Sequence, residues 1–129
     1  EGSIHFMDHL KKGDPRIPNL SPTIRVYSTL GRFLEHGRIF RFENAGDPLF
    51  FIGSADWMRR NLDKRMETIT PVFDEGVKQE LEEILNIYEA DNCTEWDLYE
   101  DGHYERWEPD VDEDKRCAQE TFIRLAAEL

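Results

Sequence analysis

A histidine and an arginine two positions apart, His36 and Arg38, begin the stretch whose residue types suit phosphate chemistry. In a β-strand, residues two apart point to the same side, so both side chains can meet one ligand. Gly53-Ser54 follows, and Asn61 comes seven residues after the serine. An imidazole can attack phosphorus or transfer a proton, while arginine and small polar groups hold the charge of an oxyanion. The pattern predicts a phosphate site made by His36, Arg38, Ser54 and Asn61.

Each of these residues also has an ordinary structural interpretation. A histidine near an apolar stretch is often only a hydrogen-bonded residue, Ser54 can be a turn residue, and Asn61 can cap the next element. Glu43 can orient His36 or Arg38, although a carboxylate at a strand end more often faces solvent. Two further candidates for a supporting role lie in a predicted helical turn over residues 56–61: Arg59 and Arg60.

Charge is distributed unevenly along the 129 residues, whose formal net charge is −12. Residues 24–65 contain eight Arg or Lys against five Asp or Glu, a balance of +3 in an otherwise acidic chain. The candidate site therefore lies in the only locally basic segment, although any one arginine there can simply pair with a nearby carboxylate. The acidic total argues against a nucleic-acid partner.

The spacing is similar to the phospholipase D superfamily signature, His-x-Lys-x4-Asp followed by Gly-Ser-x6-Asn. Arg38 stands for the lysine, Glu43 stands for the aspartate, and the gap before Gly53 is longer. The surrounding sequences FLEH and GSADWM-x-RNLD-x-R resemble the last domain of bacterial polyphosphate kinase, the type with two phospholipase-D-like lobes. The likeness covers residues 19–129 and extends through VKQELEEIL, DN and DGHYER.

The resemblance implies an enzyme that reversibly moves the terminal phosphate of ATP to inorganic polyphosphate, with Mg²⁺. In the family, the phosphorylated histidine lies on the first lobe, which this chain does not match. His36 matches the second lobe's histidine, which implies phosphate binding and proton transfer rather than covalent carriage. The remaining kinase domains become expected partners, a homo-oligomer is allowed, and the metal ligands are expected outside this chain. The implied location is the cytoplasm, with membrane association only through the full-length enzyme.

The predicted fold is α/β, a phospholipase-D-like domain with a mixed β-sheet flanked by helices. Residues 1–18 are expected to be an unmatched leader or a partial first element, because Asp8 stands where the family has a phosphate-binding arginine. Residues 19–129 form the predicted domain. Alternating and 3.6-residue apolar patterns predict its elements. Strands are expected over 24–29, 38–42, 49–52, 66–72, 94–99 and 103–107, and helices over 30–35, from Asp74 to Tyr88 and over 114–128. Residues 44–48 and Asp101-Gly102 are expected to close two hairpins, and Phe33, Leu34, Phe40 and Phe42 are expected to face the core.

The two cysteines, Cys93 and Cys117, lack metal-ligand spacing and are expected to be free thiols in a reducing cytoplasm. No apolar run approaches the roughly 18 residues of a membrane span, and no secretory signal is recognisable.

Three functional hypotheses stay open. The chain can be a kinase fragment that is inactive alone, a stand-alone phospholipase-D-like phosphodiesterase that works as a dimer, or a non-catalytic anion-binding module. The amino-acid sequence around GSADWM and the arginine at position 38 favour the kinase hypothesis over the phosphodiesterase hypothesis.

Overall fold

The structure, a computed structural model, describes residues 27–54, 63–99 and 101–128. It divides into two compact units: residues 35–86 form one, and the described residues on either side of that segment form the other. The described strands and the two longer α-helices are β1 Tyr27–Thr29, β2 Ile39–Phe42, β3 Leu49–Gly53, β4 Ile69–Val72, α1 Glu75–Glu89, β5 Glu95–Leu98, β6 Tyr104–Arg106 and α2 Ala118–Ala127, and a short 3-10 helix covers Asn44–Gly46.

The unit of residues 35–86 is built on an antiparallel sheet in the order β2-β3-β4. The predicted hairpin between β2 and β3 is confirmed, with Phe40 opposite Phe51 and Phe42 opposite Leu49. Its connection turns through Asn44, Ala45 and Gly46, all with positive φ. Asparagine and glycine tolerate this left-handed conformation, which explains how a short connection reverses the chain.

The helix α1 follows the sheet and begins as predicted. The backbone N–H of Val77 donates to Asp74 Oδ1 at 3.0 Å, so Asp74 caps the first turn. Arg41 joins the sheet to α1, because its Nε donates to Glu82 Oε2 at 2.7 Å. The guanidinium also lies 5.9 Å from the ring centre of Phe50, which is only 3 % exposed. Phe42 was expected in the core, but it is 56 % exposed, so that prediction is wrong.

The other unit contains an antiparallel sheet in the order β1-β5-β6. The predicted hairpin around Asp101-Gly102 is confirmed, with Leu98 opposite Tyr104. Beside this sheet, the carboxylate of Asp91 is fully buried. It accepts hydrogen bonds from the backbone N–H of Cys93, of Thr94 and of Ala118, at 2.9, 2.7 and 2.7 Å, and from Thr94 Oγ1 at 2.6 Å.

These four hydrogen bonds decide the charge state of Asp91. Burial alone raises the pKa of a carboxyl, but the donors from Ala118, Thr94 and Cys93 outweigh it and hold the pKa of Asp91 below its ordinary value. The neighbouring Asn92 bonds the same distant segment, since its Oδ1 accepts from Arg116 N at 2.8 Å. The pair Asp91-Asn92 therefore fixes the start of β5 to the start of α2.

The predicted helix over residues 30–35 is wrong. The carboxamide of Gln119 takes both backbone groups of Phe33, accepting from its N–H at 2.9 Å and donating to its carbonyl at 2.7 Å. A Cβ on Gly31 would lie 2.3 Å from Gln119 Oε1, so a larger residue there would displace the Gln119 carboxamide from Phe33. The backbone of Phe33 therefore forms its hydrogen bonds with Gln119 and not within a helix. Phe33 and Leu34 were expected to point inward, but they are 52 % and 65 % exposed.

Two further expectations are corrected. The predicted single mixed sheet is replaced, among the described residues, by two three-stranded sheets whose strand pairs are all antiparallel. Cys93 and Cys117, expected to be free thiols, are joined by a disulfide bond. The spacing of the two cysteines does not predict this bond, because the pairing depends on how the Asp91-Asn92 segment meets α2.

Candidate functional site

Three neighbouring strand ends meet at one end of the β2-β3-β4 sheet. The carbonyl of Arg38 accepts from the backbone N–H of Gly53 at 3.0 Å, which extends the β2–β3 pairing to Arg38. The N–H of Ser54 donates to the carbonyl of Thr68 at 3.0 Å, which joins the end of β3 to the segment before β4. Antiparallel pairing thus places Arg38 opposite Gly53 and places Ser54 beside the segment that precedes β4.

The side chain of Ser54 is held by the segment that precedes β4. Its Oγ donates to Glu67 Oε2 at 2.6 Å and accepts from the N–H of Thr68 at 3.1 Å. A hydroxyl carries one proton, and here that proton points to a carboxylate. Glu67 is therefore a member of the site that sequence reasoning missed, because it lies thirteen residues beyond Ser54 and outside the motif.

Gly53 is required by the close approach of these strands. A Cβ at this position would lie 3.0 Å from the carbonyl oxygen of Thr68 and 3.3 Å from both the Phe40 ring and Ile69 Cγ1. The backbone oxygen and the two packed side chains leave little room for a methyl group. The glycine of the Gly-Ser pair therefore permits the strand spacing that places Ser54 beside the Arg38 strand.

His36 lies two residues before Arg38, ahead of the first residue of β2, and its side chain is exposed. Its ring makes no hydrogen bond with any residue that the structure describes. Arg38 is half-buried, and its Nη1 donates to the carbonyl of Gly37 at 2.8 Å. The solvent side of this sheet end therefore presents an imidazole and a guanidinium, the two groups that the phosphate hypothesis requires.

Glu43 is not brought to this end of the sheet. It follows the last residue of β2, five positions after Arg38, and a strand rises about 3.3 Å per residue. Its Oε2 pairs with Arg41 Nη1 at 2.9 Å, and its side chain is 66 % exposed. Of the remaining candidates, Asn61, Arg59 and Arg60 lie outside the described residues.

The described ranges contain no cluster of side chains that could hold a metal ion. Within residues 27–54, 63–99 and 101–128, no group of three or more His, Cys, Asp or Glu side chains could hold a metal ion. We therefore assign no magnesium ligand to these residues. In the same part of the chain, no helix is long and apolar enough to cross a membrane.

The fold and this sheet end define a phospholipase-D-like α/β domain. A crystal structure of polyphosphate kinase from Porphyromonas gingivalis matches 87 % of this chain with a TM-score of 0.76 and 35 % sequence identity. The chain belongs to the family described as polyphosphate kinase C-terminal domain 2, whose family model matches residues 10–119. The family resemblance and the predicted α/β class are confirmed.

Sequence relatives carry the same name. The polyphosphate kinase of Thermosynechococcus vestitus is 52 % identical over 102 residues, which cover 79 % of this chain and 14 % of that protein. The polyphosphate kinase of Pseudomonas aeruginosa is 45 % identical over 114 residues, or 88 % of this chain and 16 % of that protein. The chain thus spans about one seventh of the length of these relatives, and 17 % of the solved Porphyromonas gingivalis chain.

Proposed function

We propose that this chain acts as the C-terminal phospholipase-D-like lobe of a larger polyphosphate kinase. That enzyme reversibly transfers the terminal phosphate of ATP to inorganic polyphosphate, with magnesium offsetting phosphate charge when it is bound. The observation that carries the proposal is the match to the polyphosphate kinase C-terminal family, in which backbone pairing places Arg38 and Gly53-Ser54 on neighbouring strands.

The proposed task of this sheet end is to hold and orient a phosphate group. Arg38 supplies a planar guanidinium with several donors, which suits phosphate oxygens. His36 is proposed to contact the phosphate and to carry a proton, and Asn61 is proposed as a further donor. In a transfer whose transition state spreads charge over phosphoryl oxygens, positioning and charge stabilisation supply most of the catalysis.

Glu67 sets a condition on how Ser54 takes part. Since Ser54 Oγ gives its only proton to Glu67, it cannot donate to a phosphate oxygen at the same time. The carboxylate also repels an approaching anion. Binding through Ser54 therefore requires its hydroxyl to turn away from Glu67.

The chain alone should make no polyphosphate, because the phosphorylated histidine is proposed to lie on a lobe that is absent. Incubation of the 129-residue chain with ATP and magnesium, followed by ³¹P NMR, should show no polyphosphate signal above background. The Pseudomonas aeruginosa enzyme serves as the positive control. Polyphosphate synthesis by the chain would contradict the divided active site. Hydrolysis of a generic phosphodiester by a dimer, lost in His36→Ala, would favour a phosphodiesterase instead.

Arg38→Ala should weaken the binding of tripolyphosphate to the chain by roughly 10- to 100-fold. A hydrogen bond to a charged group contributes about 1.5–3 kcal/mol, and 1.4 kcal/mol changes an affinity tenfold. The measurement is an NMR titration that follows the ring signals of His36. Wild-type binding should itself weaken with salt, because exposed charges are screened over about 8 Å at physiological ionic strength.

Arg124→Ala is the matched control for this titration. Arg124 is an exposed arginine near the end of α2, so the substitution removes the same charge from a different part of the chain. It should leave the affinity close to that of the wild type. Equal loss in both variants would mean that the anion responds only to net charge, and the proposed site would be wrong.

A further inference from the structure

The disulfide between Cys93 and Cys117 joins the only two cysteines of the chain across 24 residues. Their Cα atoms are 5.5 Å apart. Cys93 lies just after the Asp91-Asn92 pair, and Cys117 is the residue at which α2 begins. Neither residue takes part in the proposed phosphate site, so the bond has a separate role.

The segments on either side of the disulfide are also joined without it. Asn92 N donates to the carbonyl of Arg116 at 2.9 Å, and Arg116 N donates back to Asn92 Oδ1 at 2.8 Å. Asp91 binds Ala118 N at 2.7 Å, and Arg116 Nε donates to the carbonyl of Ala90 at 3.0 Å. None of these bonds involves a sulfur atom, so we expect them to keep the two cysteines adjacent when the disulfide is reduced.

A surface cavity of about 270 Å³ reaches Cys93. Among its lining residues are two cations and an indole, from Arg106, Lys115 and Trp107. The guanidinium of Arg106 donates to the carbonyl of Cys93 at 2.8 Å. These cations attract an approaching thiolate, and the carboxylate of Glu108 also lines the cavity. Cys93 is 8 % exposed and lines this cavity, whereas Cys117 is half-buried and does not belong to the lining.

The other sulfur is placed to accept negative charge. Cys117 is the N-cap residue of α2, a helix of ten residues. The first turn of a helix carries partial positive charge, and this position stabilises a thiolate. When the disulfide is attacked at Cys93, the sulfur that leaves is that of Cys117, and a stabilised thiolate leaves faster.

We propose that Cys93–Cys117 is a reversible thiol–disulfide exchange site, opened by a dithiol that enters the cavity beside Arg106 and Lys115. One thiolate of the dithiol attacks the sulfur of Cys93, the Cys93–Cys117 bond breaks, and Cys117 leaves as a thiolate and takes a proton. The second thiol of the reagent then attacks the mixed disulfide and releases Cys93. The dithiol is oxidised to a disulfide, and two electrons and two protons pass to the two cysteines. A disulfide oxidant reverses the sequence.

The first test follows the redox state of the folded chain. The protein is equilibrated in mixtures of reduced and oxidised dithiothreitol, and free thiols are then counted by the gel shift of a maleimide polymer. Both thiols should appear together in native buffer and disappear again on oxidation, with an unchanged far-UV circular dichroism spectrum. The melting temperature should fall by about 10 °C on reduction, because the closed loop no longer limits the unfolded chain. A bond that opens only in denaturant, or thiols that never pair, would overturn the proposal.

The second test locates the attack. A thioredoxin that lacks its second cysteine stops at the mixed disulfide, and peptide mass mapping shows which cysteine it holds. We expect capture at Cys93, and capture at Cys117 would overturn the proposed route.

Lys115→Gln should slow reduction several-fold at low salt, because it removes a cation that attracts the attacking thiolate. Lys64→Gln is the matched control, since Lys64 lies outside the cavity lining, and it should leave the rate unchanged. Equal rates in both variants would remove Lys115 from the route.

Discussion

Replacing Asp91 with alanine should lower the free energy of unfolding by about 3–4 kcal/mol, because the change leaves buried donors without an acceptor. The carboxylate is fully buried and receives four hydrogen bonds, from Cys93 N, Thr94 N, Thr94 Oγ1 and Ala118 N. A buried donor that loses its partner costs more than the bond itself contributes. Urea unfolding followed by circular dichroism measures the change through the midpoint and the slope of the transition.

Asp112→Ala is the control for this measurement. Asp112 is exposed in the acidic segment before α2, so its removal should change the free energy of unfolding by less than about 0.5 kcal/mol. The same substitution removes one carboxylate in each variant, which separates the buried network from net charge. Similar losses at both positions would contradict the role given to the hydrogen bonds of Asp91.

The free energy of unfolding should depend on pH because of the protonation of the Asp91 carboxylate. The folded pKa of Asp91 is lowered, so the unfolded state binds its proton more readily. Its contribution to stability is therefore complete above the unfolded pKa of about 3.9 and is lost as pH falls through the folded pKa. Asp91→Asn should be less stable than the wild type at neutral pH, and the difference should shrink in acid. A constant difference would show that the pKa of Asp91 is the same in the folded and unfolded chain, which would contradict the lowered folded pKa.

Local signals in the sequence predicted most of the elements in the described ranges. The β2–β3 hairpin follows from alternating apolar residues around a connection rich in turn formers, and α1 follows from the apolar stripe that begins after Asp74. Both depend on residues close together in the chain. Antiparallel pairing also places Arg38 next to Gly53, whereas the shared phosphate site of Arg38 and Ser54 stays a prediction. A strand pair makes such a meeting predictable once the hairpin is recognised.

The failures share a different origin, namely contacts between distant residues. A helix was expected at residues 30–35, but Gln119, 86 positions from Phe33, takes the backbone groups that a helix would use. The partner of Ser54 is Glu67, which belongs to no motif. The disulfide also depends on a contact across 24 residues. Composition and periodicity carry no information on such pairings, because they describe each segment by itself.

His36→Ala should reduce polyphosphate synthesis by roughly 10²- to 10⁴-fold in a complete enzyme, the usual contribution of a positioned acid or base. The test uses a chimera in which this chain replaces the matching segment of the Pseudomonas aeruginosa kinase, to which it is 45 % identical. Since the fold matches a solved polyphosphate kinase with a TM-score of 0.76, the replacement should preserve the lobe. The kcat/KM for ATP is compared between the chimera and its variant.

His103→Ala in the same chimera is the matched control. His103 is exposed beside β6, where its ring pairs with Asp101 and stacks on Tyr99, and it has no place in the proposed site. Its loss should leave synthesis close to that of the unsubstituted chimera, whereas equal losses in both variants would point to damage of the fold.

Labelling with γ-³²P-ATP then separates the two roles open to His36. The proposal places the phosphohistidine outside residues 1–129, because His36 binds phosphate and moves a proton. A labelled peptide that contains His36 would instead make this residue the covalent carrier, and the assignment of roles between the lobes would be reversed.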